Sequence, residues 1–213
     1  MSGVRTALML CGSPKGTRGS SWELGSYLLR QLETSGVKTV RRTITPADTL
    51  IRDVQDADLL ILSFPLYADG IPARFKAELM EIAAARPGRK FCMALVQCGF
   101  LESHHNDTAI EMCRLFARDA GFEWLGGLGR GAGGMLDGKP LEQAPGILED
   151  TRKALDRSAV CLAKGKPVTE EIRQVFYRQL MPRWFYAFMA NLGFWLQIIR
   201  NGKVLSIYRK PYN

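Results

Sequence analysis

Ala7-Leu-Met-Leu-Cys-Gly-Ser-Pro-Lys-Gly-Thr-Arg-Gly-Ser-Ser-Trp-Glu-Leu24 sets the architecture of this chain. Its first five residues form a continuous apolar run, short and bounded by turn formers, as in a strand buried on both faces. Gly12 to Gly19 is a turn-rich loop. Ser20 and Glu23 have the spacing of a capping box, and Leu24, Leu28, Leu29 and Leu32 follow at helical spacing, with Gly36 as the stop. Strand, loop and helix together are the opening of a βαβ unit, the crossover that parallel strands require.

The same alternation recurs along the chain. Residues 37–44 read as a second strand, charged and near a sheet edge. Residues 46–58 place Ala47, Leu50, Ile51 and Val54 on one helical face. Residues 58–64 are a buried strand and 65–70 a loop; Pro72 then opens a helix carrying Phe75, Leu79, Met80 and Ile82. A strand at 90–97, a helix at 106–120, a strand at 122–128, a glycine-rich loop at 126–138 and a helix at 147–164 complete five βα units. Continuous apolar strands separated by amphipathic helices predict an α/β protein, a doubly wound parallel sheet with right-handed crossovers. Ligands of such sheets bind beyond the carboxyl ends of the strands, where the strand order reverses. The loops at those ends are 12–19, 65–70, 97–105 and 126–138.

Composition narrows the class. The chain has 213 residues, 46% hydrophobic and 23% charged, which excludes disorder, collagen and a coiled coil and fits one large domain, or one domain with an appendage. Its five cysteines are odd in number, with no C-x-x-C, against a disulfide framework or a cysteine-bound metal. They read as small core residues of a cytoplasmic protein. Neither a signal peptide nor a run of about 20 apolar residues is visible. A net charge of +8 suggests an anionic partner: a phosphate ligand, nucleic acid or anionic lipid.

The first loop holds hydroxyls at Ser13, Thr17, Ser20 and Ser21, cations at Lys15 and Arg18, and the free N–H groups of a helix start. That set can surround a phosphate, aided by the helix dipole. Neither the Gly-Lys-Ser/Thr end of a P-loop nor G-x-G-x-x-G is present. The competing reading is a plain connector with an ordinary N-cap.

Cys11-Gly-Ser-Pro-Lys-Gly-Thr-Arg-Gly-Ser-Ser-Trp-Glu-Leu24 is similar to the phosphate loop of the flavodoxin-like NAD(P)H-dependent FMN reductases. Ser63-Phe-Pro-Leu-Tyr-Ala-Asp-Gly-Ile-Pro-Ala-Arg-Phe-Lys76 resembles their second motif, a Pro-x-Tyr turn beside the isoalloxazine followed by a helix. The resemblance spans residues 4–165. It implies a flavodoxin-like five-stranded sheet of order 2-1-3-4-5, with FMN as cofactor and NAD(P)H as co-substrate. It further implies a phosphate site at Ser13, Lys15, Thr17, Arg18, Ser20 and Ser21, a ring site at Pro65, Leu66, Tyr67, Ala68, Asp69 and Gly70, and a pyrimidine edge at Gln97, Cys98, Gly99 and Phe100. Electrons would pass from reduced nicotinamide through FMN to a small acceptor: a quinone, nitroaromatic, metal ion or free flavin. The flavin carries that chemistry, so no catalytic side chain and no metal ligand is assigned. Some relatives hold an iron–sulfur cluster between the second strand and second helix; residues 43–50 contain no cysteine, and no cluster is expected. A flavodoxin-type electron carrier and a flavin-free interaction module are the alternatives; the basic charge counts against the carrier. Read singly, Tyr67 fits a surface aromatic, Asp69 a turn residue and Cys98 a small buried residue. His104-His105 fit a polar contact at the crevice better than a metal site.

The last part, 166–213, reads as a basic helical extension. It holds eight Lys or Arg against two Asp or Glu, and ten of the twenty aromatics lie after residue 175. Residues 182–200 form a helix bracketed by Arg183 and Arg200, ended by Asn201-Gly202, and apolar on nearly every side. It packs on the core and a partner subunit in a homo-oligomer, or it lies in a membrane interface. Nucleic acid is disfavoured, because the basic residues are not interleaved with the aromatics. At about 1.5 Å per residue the helix is shorter than a hydrocarbon core of about 30 Å.

Overall fold

The computed structural model describes residues 3–44, 47–136, 139–144 and 146–202, with the side chains of 47 and 48 outside that set. Pro46, the last two residues of the expected 126–138 loop and the end of the tail fall outside it. The chain divides into two compact units, Met1–Leu180 and Met181–Asn213.

The first unit is a parallel sheet of order β2-β1-β3-β4-β5, as the resemblance implied. Its strands are β1 (Thr6–Cys11), β2 (Lys38–Thr43), β3 (Leu59–Pro65), β4 (Phe91–Gln97) and β5 (Glu123–Arg130). The crossover helices are α1 (Ser20–Thr34), α2 (Ala47–Asp56), α3 (Ala73–Ala85) and α4 (Asp107–Ala120); α5 (Glu149–Ala163) and α6 (Glu170–Tyr177) follow β5. Successive residues of a strand point to opposite faces. Ala7, Met9 and Cys11 therefore pack with Leu24, Leu28, Leu155 and Leu162 of α1 and α5. Leu8 and Leu10 pack on the other face with Val54, Phe75, Leu79 and Cys113 of α2, α3 and α4. Two apolar layers explain why β1, β3 and β4 read as unbroken hydrophobic runs.

Helix α1 ends as expected: Gly36 has φ +83°, its N–H donates to Glu33 O at 3.0 Å, and Val37 N–H donates to Leu32 O at 3.1 Å. Its start differs. Gly19, extended at φ −97° and ψ 154°, is the N-cap, and no side chain caps the helix. The short turn Gly16–Arg18 brings the chain into the helix one residue early, so Ser20 lies inside the helix and the expected capping box does not form.

The segment expected as a loop at 126–138 begins as strand. β5 runs to Arg130, and Gly126, Gly127 and Gly129 belong to it. A Cβ on Gly127 would lie 2.3 Å from Ile110, so the missing side chain lets α4 close on the strand. A register shift opposite Cys92 and Met93 leaves Leu125 out of the ladder with β4, and its carbonyl accepts the Val168 N–H at 2.8 Å. Val168 leads into α6, whose Ile172 and Phe176 are buried in the α1–α5 layer. The division expected at 165 thus falls ahead of a helix that belongs to the first unit; its charge grouped it with the tail, but one apolar face anchors it.

In the second unit, α7 (Arg183–Arg200) follows Pro182, and none of its residues is buried. Among the described residues no helix is long and apolar enough to cross a membrane.

Candidate functional site

The two loops singled out in the sequence meet at one place. Ser13, Pro14 and Gly16 from the loop after β1, and Tyr67, Ala68 and Gly70 from the loop after β3, border one cleft of about 800 Å³. Thr43 at the end of β2, Ile44, the start of α3 and Met112 of α4 complete its walls. The cleft sits beyond the carboxyl ends of β1, β2 and β3, beside the strand-order reversal at β1.

The first loop is tightly wound. Ser13 is buried; its Oγ accepts the Lys15 N–H at 3.3 Å and its carbonyl the Gly16 N–H at 2.9 Å. A Cβ on Gly12 would stand 2.2 Å from the Phe75 ring, and one on Gly19 2.8 Å from Ser13 Oγ. Only glycine fits at either place, so α3 and the loop lock each other. Lys15, Thr17 and Arg18 are exposed, and like Ser20 and Ser21 they stand outside the cleft's lining. The Gly19 carbonyl accepts from Trp22 and Glu23. The N–H groups of Ser20 and Ser21 have no acceptor among the described residues, and they lie at the positive end of a 15-residue helix.

The loop after β3 is a two-residue turn. Tyr67 and Gly70 exchange both backbone hydrogen bonds, at 3.2 and 3.0 Å. Between them Ala68 has φ +46° and Asp69 φ +56°. Such turns normally take Asn-Gly or Gly-Gly, because side chains disfavour the left-handed region. Strain of this kind persists where the surroundings over-determine it. Leu66 N–H donates to Gln97 O at 2.7 Å, which ties the turn to β4, and Pro65 is buried in β3. Tyr67 is half exposed.

Gln97 links three loops. Its Nε2 lies 3.4 Å from Ser21 Oγ, and a Cβ on Gly133 would strike its Oε1. Ser63 Oγ donates to Ser21 O at 2.6 Å below it. The residues after Gln97 are stitched instead to the loop after β5. Cys98 N–H donates to Arg130 O at 2.9 Å, Gly133 N–H to Cys98 O at 2.8 Å, and Ala132 N–H to Phe100 O at 2.5 Å. The Cys98 N–H is therefore already taken up in sheet-end pairing. The Cys98 thiol is buried, receives Asn106 Nδ2 at 3.5 Å, and burial raises its pKa, the character of a packing residue. Gly99 and Phe100 are exposed; Phe100 stacks on His105 with ring centroids 4.4 Å apart, and His105 on His104 at 4.5 Å. None of residues 97–100 lines the cleft. Among the described residues no three His, Cys, Asp or Glu side chains come together as a metal site.

Arg130 escaped the sequence reading, which placed it in a glycine loop. It is wholly buried at the end of β5, donates to the Phe176 carbonyl in the last turn of α6 and lies over the Phe176 ring at 5.7 Å. Burial lowers its pKa to about 10, opposed by Asp150. A cation at a helix C-terminus is favourable, and it clamps α6 to the sheet.

No family model matches the chain. A stretch of 45 residues is 42% identical to the FMN-dependent NADH:quinone oxidoreductase 1 of Jannaschia sp. (strain CCS1), covering 21% of this chain and 24% of that protein. The chain thus matches about a quarter of that relative's length. A short-chain flavodoxin associated with a non-canonical PDU bacterial microcompartment superposes with a TM-score of 0.59 at 16% identity, over 76% of this chain and 98% of that one. An FMN-dependent NADH-azoreductase from Bacillus anthracis str. Ames Ancestor, solved in complex with FMN, gives 0.56 at 13% identity, over 75% and 100%. The fold is flavodoxin-like.

Proposed function

We propose that this chain binds FMN and uses it to pass electrons from NADH or NADPH to a small acceptor such as a quinone. The observation that carries the reading is the single cleft bordered by both loops, by Ser13, Pro14 and Gly16 of the first and Tyr67, Ala68 and Gly70 of the second. Its volume lies in the range of small-ligand sites. The similarity to the Jannaschia FMN-dependent NADH:quinone oxidoreductase and the B. anthracis FMN-dependent NADH-azoreductase supports the same chemistry.

The residues suit the cofactor. A phosphate needs donors and positive charge: the Ser20 and Ser21 N–H groups, the neighbouring hydroxyls, and Lys15 and Arg18 provide them. A flat ring needs a rigid, partly apolar edge, which the strained turn with Tyr67 gives. When bound, the flavin accepts hydride from the nicotinamide and delivers electrons onward. The protein's part is to hold and orient. The wound first loop fixes one end and the turn at 67–70 fixes the other, while Gln97, outside the cleft, holds the start of α1 through Ser21.

The test is optical. Purified protein titrated with FMN should perturb the flavin spectrum with a one-to-one endpoint, and NADH or NADPH added without oxygen should bleach it. Failure to take up FMN would refute the proposal. Uptake with no bleaching by either nucleotide would make the protein an electron carrier instead.

A further inference from the structure

The second unit holds a surface that the flavin reading leaves unused. In α7, Trp184, Phe188, Leu192, Trp195 and Ile199 recur at helical spacing and fall along one line. Tyr186, Ala190, Gly193, Gln197 and Arg200 occupy the opposite side together with Phe194, while Phe185, Met189, Leu196 and Ile198 fall between the two. The helix is therefore apolar on nearly every side, as expected, with both tryptophans on this strip. Trp184 is 72% exposed and Ile199 58%. Monomeric proteins rarely leave so continuous an apolar strip in water.

Charge selects what covers it. Residues 181–213 contain Arg183, Arg200, Lys203, Arg209 and Lys210 and not one Asp or Glu. A second copy would bring its own excess of cations to the contact with no acidic residue of this stretch to meet them, and like charges oppose that pairing. An anionic surface complements them. At about 1.5 Å per residue, 18 residues fall short of a hydrocarbon core of about 30 Å, so the helix cannot span it. Tryptophan on the apolar side and arginine at the ends suit the headgroup–acyl boundary.

We infer that α7 lies in the plane of an anionic lipid bilayer, with the Trp184–Ile199 strip buried in the boundary, and holds the protein on the membrane. This does not rest on flavin binding. The test is co-sedimentation of the full chain with vesicles of phosphatidylserine and phosphatidylcholine, against pure phosphatidylcholine. Binding to the mixed vesicles should exceed binding to the neutral ones by well over tenfold, since each cation near the surface adds roughly fivefold. Tryptophan emission should shift to the blue on binding. The double substitution Phe188→Glu with Trp195→Glu should abolish sedimentation. Ala190→Gln, on the opposite side, should leave it unchanged and controls for folding. A chain that stays in solution with both vesicle types overturns the inference, as does equal binding to both. A stable dimer that Phe188→Glu with Trp195→Glu converts to a monomer, without vesicle binding, would overturn it in favour of a second copy.

Discussion

Replacing Ala68 by glycine is expected to stabilise the protein and weaken its hold on flavin. A residue with a Cβ in the left-handed region costs about 1–2 kcal/mol, and Ala68 sits there at φ +46°. Glycine removes that strain but loses more chain entropy on folding, about 0.4–1 kcal/mol. The difference is a net gain of about 0.5–1 kcal/mol. For a chain of this size that raises the melting temperature by about 1–4 °C. The looser turn must then be ordered when FMN arrives, so affinity should fall about two- to fivefold. Differential scanning calorimetry of the flavin-free protein and a fluorescence titration with FMN measure the two effects. Asp69→Gly should behave alike, and Ala68→Asn with Asp69→Gly, the sequence this turn prefers, should be the most stable. A fall in melting temperature with Ala68→Gly, the result at an ordinary turn position with negative φ, would refute the reasoning.

Other sites give independent checks. Ser21→Ala removes a hydroxyl at the α1 start and its contact with Gln97; FMN affinity should drop about two- to tenfold by fluorescence titration, with the fold intact. Arg130→Ala deprives the Phe176 carbonyl of its donor and opens a cavity, lowering urea stability by about 3 kcal/mol; Arg130→Met should cost much less, because burial already penalises the guanidinium. Burial, then the hydrogen bond to Asp156, pushes the Tyr27 hydroxyl up to about 12 from its ordinary 10. The unfolded phenol ionises first, so stability should fall as pH rises through that window, and less steeply in Tyr27→Phe, as unfolding at a series of alkaline pH values will show.

The strands that were legible share one property. β1, β3 and β4 are covered on both faces, so burial wrote itself into the sequence as continuous runs. β5 was legible over 122–128 but not at its end, Gly129 and Arg130, because Gly129 is there to admit Asn106, as Gly127 admits Ile110, rather than to make a loop. That end is held in the strand by pairing with Val96 and Gln97 of β4, which no local pattern records. The start of α1 misled for the reverse reason: Ser20 and Glu23 fit a capping pattern, but the preceding turn made Gly19 the cap. The paired motifs located the cleft, because both sit at strand ends that the topology brings together. The fate of Cys98 was invisible, since its N–H partner lies on β5, 32 positions along the chain.

The Val168 N–H held by the Leu125 carbonyl has a consequence for how these molecules meet one another. β5 is a border of the sheet, and open borders invite intermolecular strand addition. Here the chain seals its own border: the segment before α6 occupies the outward carbonyl, and the helix covers the flank. The other border, β2, is guarded by Lys38, Arg41 and Arg42. A chain cut ahead of Lys166 would lose the seal on β5, and its characteristic failure would be fibrillar or amorphous self-association, not simple unfolding.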